Sequence, residues 1–142
     1  MAATILQQNV GKKGEVLVLL METAVIKGAD LVLIQEPPSF DGNSYPAFDF
    51  LRAGRVLTAR GRSSDWTVNT EDGLTKEAEG DAQVLVLCRR GHQGRVLRVV
   101  NAFFQRNGRG GTHKPAEKAL WSEIWADENC IVAGDFNVHS TM

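Results

Sequence analysis

Four short apolar runs in this sequence each end in a polar or acidic residue, and this recurrence constrains the fold more than any other feature. The runs are "TILQQN", "LVLIQE", "RVVN" and "CIVAGDFN". Strands of open α/β sheets bind ligands at their carboxyl ends, so the pattern predicts an α/β protein with one cleft there. The side chains expected around the cleft are Asn9, Glu36, Asn101, Asp135 and Asn137. The alternative is that each strand simply ends where the chain meets water.

Residues 4–36 predict one βαβ unit. Thr4–Val10 has the pattern of a strand, and "ADLVLIQEPP" that of a second strand ended by two prolines. Between them, "EVLVLLMETAVIKG" predicts a helix with Glu15 in its first turn and Gly28 just after its end. Strands joined by such a crossover are parallel and buried. The apolar core "VLVLL" also fits a strand, and that alternative stays open.

The rest of the chain predicts further strands and one more helix. Residues 39–80 are turn-rich, with short strands expected at Arg55–Ala59 and Trp66–Asn69. The segments "AQVLVLCRR" and "RVLRVVNAFF", joined by "GHQG", predict a β-hairpin. The segment "QRNGRGGTH" predicts a loop, and "KPAEKALWSEIWADEN" predicts an amphipathic helix with Pro115 near its start. "CIVAGDFN" is expected to be the last strand.

Length and composition exclude several classes of protein. The 142 residues, of which 43% are hydrophobic, suffice for one domain with a sizeable core. Two cysteines, each within an apolar run and not in a CxxC pair, predict free thiols in a reducing compartment. No run approaches about 18 consecutive apolar residues, and the N-terminus has no secretory pattern. We therefore expect a nuclear or cytoplasmic protein that is neither secreted nor associated with a membrane.

The net charge of -1 hides a strong local asymmetry. Residues 89–118, called the basic block here, contain eight Lys or Arg residues and one acid, Glu117, whereas residues 1–88 contain eight basic and twelve acidic residues. A basic face suits phosphate groups because neutralising them releases counterions. An ordinary solvated loop surface is the alternative interpretation.

The residues expected at the strand ends favour a hard cation. Carboxylate and amide oxygens, without clustered His or Cys, are ligands that suit Mg²⁺ better than zinc. Magnesium takes one or two protein carboxylates and leaves positions for substrate phosphate oxygens. Together with the basic block, this set predicts metal-assisted cleavage of a phosphoester. The motifs GxxxxGK[ST], GxSxG and HExxH do not occur in the sequence.

A family resemblance becomes visible when the motifs are taken in order. "QQN", "LVLIQEPP", "RVVNAFF" and "VAGDFNVHS" resemble successive signatures of the endonuclease/exonuclease/phosphatase superfamily, which has the deoxyribonuclease I-like fold. The forms "IQEPP", "NAFFQRNGRGG" and "GDFNVHS" are most similar to endonuclease domains that accompany reverse transcriptases in non-LTR retrotransposons. The resemblance implies a four-layer α/β/β/α sandwich and divalent-metal-dependent nicking of DNA.

The resemblance also implies roles for individual residues. Glu36 would bind Mg²⁺, with Mn²⁺ as a substitute, and Asn9 would support the metal and its water or phosphate ligands. Asp135 would orient or deprotonate the attacking water or assist the leaving oxygen, and Asn137 would hold the phosphate. The residues that would contact DNA are Arg106, Arg109 and Asn101.

Two departures from the family pattern affect the expected activity. "NAF" stands where many relatives have "NVY", so Phe103 offers no phenolic hydroxyl. The family's later Asp-His pair, often within "SDH", is not found, and His139 follows "GDFN" too closely to be that histidine. We therefore expect residues 1–142 to be the N-terminal part of a single domain, a sandwich incomplete at its C-terminus, with impaired nuclease activity.

The parent protein would then carry the missing C-terminal part of the domain or a reverse transcriptase region. Two rival functions stay open. One is a catalytically inactive remnant that binds nucleic acid or a partner. The other is a phosphatase for a small or lipid phosphoester.

Overall fold

The computed structural model describes residues 3–70, 82–91, 96–103 and 129–135, which form one α-helix and two four-stranded β-sheets. The helix α1 spans Gly14–Lys27, and a short 3-10 turn spans Gly42–Ser44. The strands are β1 (Ile5–Asn9), β2 (Leu31–Gln35), β3 (Phe48–Ala53), β4 (Val56–Gly61), β5 (Trp66–Thr70), β6 (Ala82–Arg89), β7 (Val96–Phe103) and β8 (Cys130–Asp135).

Each sheet combines parallel and antiparallel strands. The first sheet has the order β1-β2-β4-β3, and only its β1 and β2 strands are parallel. The second sheet has the order β5-β6-β7-β8, and only its β7 and β8 strands are parallel. The predicted βαβ unit and the predicted pairing of β6 with β7 are therefore both present.

Helix α1 covers the outer face of the first sheet. Its residues Leu17, Met21 and Ala24 are buried in one cluster with Val32 and Ile34 of β2. The helix ends at Gly28, whose φ of 61° lies in the left-handed region and whose amide caps the last turn. A residue with a Cβ is strained in that conformation, which explains why the helix ends at a glycine. The "VLVLL" core is thus helical.

Alternate residues of β2 face opposite sides of the first sheet. Leu31 and Leu33 point away from α1 and pack between the two sheets against Leu85, Leu87 and Val99 of the second sheet. All five side chains are fully buried. Each such side chain contributes about 1.5–3 kcal/mol by leaving water, so this layer holds the two sheets face to face.

The strand β3 was not predicted, because residues 39–80 are rich in turn-forming residues. It forms through pairing with β4, in the register Phe48↔Gly61 to Ala53↔Val56. Phe50 also packs edge-on against Phe40, with ring centroids 5.0 Å apart. The predicted short strands at 55–59 and 66–69 correspond to β4 and β5.

Three layers of the predicted sandwich lie within the described residues: α1, the first sheet and the second sheet. The predicted helix "KPAEKALWSEIWADEN", the loop "QRNGRGGTH" and the "HQG" portion of the hairpin turn lie outside them. Cys88 and Cys130 are half-buried, and no disulfide joins them to each other. Within the described ranges, no helix has the length and apolar character needed to cross a membrane.

Candidate active site

The carboxyl ends of β1, β2, β7 and β8 meet at one edge of the sandwich. Asn9 pairs with Gln35 at the ends of β1 and β2, and Phe103 pairs with Asp135 at the ends of β7 and β8. The two pairs of strands face each other across the interior. The Gln35 side chain crosses this interior and donates a hydrogen bond to Asn101 Oδ1 over 2.8 Å. Four strand ends therefore surround one edge, as the sequence pattern predicts.

Glu36 and Asn9 lie side by side at this edge. The Asn9 Nδ2 atom donates to Glu36 Oε1 over 3.3 Å, and Asn9 Oδ1 accepts a hydrogen bond from the Gly11 amide over 2.8 Å. Asn9 thus uses both ends of its amide to connect the loop after β1 to the carboxylate after β2. In this arrangement Asn9 orients the Glu36 carboxylate.

The backbone of Glu36 adopts an unusual conformation that its neighbours maintain. Its φ of 49° lies in the left-handed region, which costs a non-glycine residue about 1–3 kcal/mol. The Glu36 amide donates to the Arg55 carbonyl over 2.9 Å, and its carbonyl accepts from the Lys12 amide over 2.8 Å. These two bonds hold the peptide on both sides. Strain of this kind, retained at a half-buried carboxylate, marks a candidate functional residue.

Replacing Glu36 with glycine is expected to stabilise the protein by about 1 kcal/mol, because glycine adopts a positive φ without strain. The melting temperature should rise by roughly 3 °C for a chain of this size, measured by calorimetry. Glu22 provides the control, since it is exposed and lies in the middle of α1. Glu22→Gly should lower the melting temperature, because glycine in a helix interior costs about 0.5–1 kcal/mol. A lower melting temperature for Glu36→Gly would contradict the strain argument.

The residues at this edge fit a hard divalent cation. Glu36 Oε1 accepts from Asn9, which leaves Oε2 as the carboxylate oxygen for a ligand. Across the described ranges, no cluster of three or more His, Cys, Asp or Glu side chains occurs, so a closed zinc site is not built there. Mg²⁺ or Mn²⁺ needs only one or two carboxylates and keeps several waters, and Glu36 therefore suits either ion.

A set of cations, called the basic rim here, lies at the same end of the first sheet as Glu36: Lys12, Lys13, Arg52 and Arg55. Lys12 and Lys13 follow β1, Arg52 lies near the end of β3, and Arg55 lies in the β3–β4 turn. Lys12, Lys13 and Arg52 are exposed, and Arg55 is half-buried. The Arg55 guanidinium carbon lies 5.0 Å from the centre of the Phe103 ring, a cation–π contact between the two sheets. These four positive charges therefore lie at the same end of the first sheet as the Glu36 carboxylate.

The described arginines of the basic block lie at the opposite end of the sandwich from the basic rim. Arg89 pairs with Trp66 at the end of β6, and Arg98 pairs with Cys130 at the start of β8. Both positions are at the edge of the second sheet opposite Asp135. The described part of the block therefore faces away from Glu36. Arg106 and Arg109, predicted to contact DNA, and Asn137, predicted to hold the phosphate, lie outside the described residues.

Asn101, also predicted to contact DNA, is fully buried between the sheets. Its Oδ1 atom accepts from Gln35 Nε2 over 2.8 Å, and its Nδ2 atom donates to the Leu57 carbonyl over 3.0 Å and to Thr58 Oγ1 over 3.2 Å. The polar atoms of Asn101 are thus used inside the protein. We therefore assign it an internal role in place of a surface contact.

Asn101 belongs to a row of hydrogen-bonded side chains that we call the inter-sheet polar chain: Gln7, Gln35, Asn101, Thr58 and Gln83. Gln7 Nε2 donates to Gln35 Oε1 over 2.6 Å, and Thr58 Oγ1 donates to Gln83 Oε1 over 2.8 Å. Neither this chain nor Arg55 was predicted from the sequence. The available signal was a polar residue on the buried face of an otherwise apolar strand, as with Gln35, which shares its face of β2 with Leu31 and Leu33.

Comparison with known structures identifies the class of fold. The described architecture, with two mixed sheets and α1 outside the first, matches the deoxyribonuclease I-like fold. Among solved structures, the chain is similar to the endonuclease domain of TRAS1, a telomere-specific non-LTR retrotransposon, with a TM-score of 0.73 and 20% identity over 99% of this chain. The α/β sandwich of deoxyribonuclease I-like type that the sequence predicts is confirmed at the level of the fold.

A second similar structure is a humanised D. rerio TDP2 with 14 mutations, with a TM-score of 0.59 and 17% identity over 97% of this chain. The chain spans 61% of the TRAS1 domain and 63% of the TDP2 chain. No protein-family model and no curated protein sequence matches this chain. At these identities the comparisons define the fold.

Proposed function

We propose that this chain has a divalent-metal-dependent phosphodiesterase site that acts on DNA, of the retrotransposon endonuclease type. The observation that carries the proposal is Glu36, a carboxylate held in a strained backbone at the meeting point of four strand ends. Asn9 orients this carboxylate. The TRAS1 domain, an endonuclease by its description, has the same fold.

Each side chain at the edge would have a separate task. Glu36 would hold Mg²⁺ or Mn²⁺ through Oε2, while Asn9 keeps Oε1 in place. When bound, the cation supplies charge neutralisation at a phosphate oxygen. Arg55 and Lys12 would contact the phosphodiester backbone and fix its position. Asp135 at the end of β8 would orient or deprotonate the attacking water, and Asn137 would hold the phosphate.

Arg55 would be the main phosphate contact in this part of the site, because Phe103 has no hydroxyl group. The Arg55 guanidinium carbon lies 5.0 Å from the centre of the Phe103 ring, so this cation is close to the residue that lacks the hydroxyl. A guanidinium pairs with phosphate oxygens through charge-assisted hydrogen bonds. The basic rim thus gives this site an affinity for polyanions that does not depend on the basic block.

A plasmid-nicking assay on the full chain tests the proposal. Supercoiled plasmid should convert to the open circular form with Mg²⁺, more slowly than with a domain that carries the family's later Asp-His pair, and should stay supercoiled with EDTA. Salt-dependent binding of duplex DNA without any conversion would overturn the endonuclease proposal in favour of a binding remnant. Hydrolysis of a soluble phosphodiester or a phosphoinositide, without binding or conversion of DNA, would instead favour the phosphatase reading.

Replacing Arg55 with alanine is expected to weaken duplex binding and to make it less dependent on salt. Each phosphate contact contributes about 0.9 to the slope of log K against log salt concentration, so the slope should fall by about 1. Fluorescence anisotropy at several salt concentrations measures this slope. Arg90→Ala is the matched control, because Arg90 is exposed and follows β6 at the opposite edge. Equal slopes for both variants would contradict a role of the basic rim.

A further inference from the structure

We propose that the hydrogen-bonded pair Gln35 and Asn101 of the inter-sheet polar chain positions Glu36, with Gln35 and Asn101 as positioning residues. The inference rests on the proposed function for the purpose of the site, but the positioning itself is a property of the fold. It assigns a role to two polar side chains that are fully buried between the sheets and that the proposed reaction leaves unused. It also explains how a strained residue can be held at a sheet edge.

The geometry connects Gln35 directly to Glu36. Gln35 is the last residue of β2, and its fully buried side chain points between the sheets. Its carbonyl accepts from the Val10 amide over 3.0 Å. The next residue, Glu36, turns into the left-handed region. Because Gln35 directly precedes Glu36, hydrogen bonds that fix the Gln35 side chain in the interior also fix the backbone position from which the Glu36 side chain extends.

The bonds around Gln35 allow one orientation of its amide. Its Oε1 atom accepts from Gln7 over 2.6 Å, and its Nε2 atom donates to Asn101 over 2.8 Å. Reversing the Gln35 amide would set nitrogen against nitrogen and oxygen against oxygen. Asn101 is held in turn by the Leu57 carbonyl and Thr58. Each side chain of the inter-sheet polar chain donates to the next one, from Gln7 towards Gln83. These bonds therefore fix the position of the end of β2 relative to β7.

A purely structural role would not require polar residues here. Apolar side chains of similar shape fill a buried space as stably as a hydrogen-bonded pair, provided that both partners are replaced. Apolar side chains do not fix how the two strands are placed relative to each other, whereas a row of hydrogen bonds does, because each donor must meet an acceptor. Gln83 belongs to the same polar chain, but it reaches Thr58 on β4 rather than β2. Gln83 therefore offers a control within the inter-sheet polar chain, because its side chain forms no hydrogen bond in this chain to β2, the strand that precedes Glu36.

The test compares Gln35→Leu and Asn101→Leu with Gln83→Leu in the full chain. Hydrogen exchange of the Glu36 and Lys12 amides reports the local conformation, because these amides bond to Arg55 and to Glu36 itself. Calorimetric titration with Mn²⁺ alone measures the metal affinity of the Glu36 carboxylate. We expect about 10-fold faster exchange and about 10-fold weaker Mn²⁺ binding for the first two variants, as for other outer-sphere changes, and near-wild-type values for Gln83→Leu.

A double variant separates positioning from stability. Combining Gln35→Leu with Asn101→Leu should recover part of the melting temperature lost by either single change, because neither amide is then left buried against an apolar side chain. Exchange at Glu36 and Mn²⁺ affinity should stay impaired. Recovery of all three quantities, or equal effects in Gln83→Leu, would overturn the positioning role.

Gln35→Glu guards against a variant that fails to fold, because it keeps the length of the side chain. Its protonated carboxyl can donate to Asn101, whereas its carboxylate cannot. Exchange of the Glu36 amide, corrected for intrinsic rates, should therefore be slower at about pH 5 than at about pH 8. A profile that matches wild type throughout would count against the proposal. If wild type binds no Mn²⁺, the proposed function fails, and the exchange data still decide the positioning role.

Discussion

Replacing Glu36 with glutamine is expected to weaken Mn²⁺ binding by more than about 100-fold, the upper end of what outer-sphere changes cost, and to abolish metal-dependent nicking. Glutamine keeps the shape of the side chain and can still accept the hydrogen bond from Asn9. It lacks the negative charge that a hard cation requires. The loss should therefore come from charge alone, with the melting temperature almost unchanged. Calorimetric titration and plasmid conversion measure the two effects.

The control for this experiment is Glu22→Gln. Glu22 is exposed on α1 and lies in the middle of the helix. Its replacement with glutamine raises the net charge by the same amount as Glu36→Gln. Mn²⁺ affinity should not change by more than about 2-fold, as expected for a distant surface charge in moderate salt. Undiminished nicking by Glu36→Gln would exclude Glu36 as the metal ligand and remove the observation that carries the proposed function.

Replacing Gly134 with alanine is expected to destabilise the protein by about 3 kcal/mol or more and to lower its melting temperature by roughly 10 °C. A Cβ at this position would collide with the backbone of Ala102, including its carbonyl oxygen, on the paired strand β7. The φ of 153° adds strain for any residue with a side chain. Because the colliding atoms belong to the backbone, neither strand can relieve the contact by changing a rotamer.

Gly14→Ala is the matched control for Gly134. Gly14 begins α1, and a Cβ there would meet no atom within 4 Å. Alanine should therefore be neutral or stabilising by up to about 1 kcal/mol. Thermal unfolding followed by circular dichroism distinguishes the two variants. If Gly134→Ala melts like wild type, the close approach of β8 to β7 is not needed, and the glycine of "GDFN" requires another explanation.

The sequence predicts the first part of the fold well because its signals there are local. The helix between β1 and β2 has an acidic first turn, a basic last turn and a glycine after its end, and all of these features are present. The parallel pairing of β1 with β2 follows from the crossover. β3 was missed because it depends on its partner β4 and on aromatic packing. Such tertiary contacts leave a weak mark on the local pattern.

The candidate site is only partly predictable for a similar reason. Strand ends identify Asn9 and Glu36, since a polar residue after a buried parallel strand reaches the cleft. The same rule misplaces Asn101, which lies two residues before the end of β7 and points into the interior. Arg55 is close to Glu36 because the β3–β4 turn folds back against β2. Its position follows from sheet order, which sequence spacing does not encode.

The inter-sheet polar chain has a further consequence for how β2 finds its place during folding. The run "LVLIQ" is apolar on both faces, so a slip of one residue against β1 or β4 would cost little if hydrophobic contacts alone decided the register. Such a slip would move Gln35 to the face covered by α1 and leave its amide buried without a partner. Strand register is thus specified by a single glutamine at the end of an otherwise ambiguous strand.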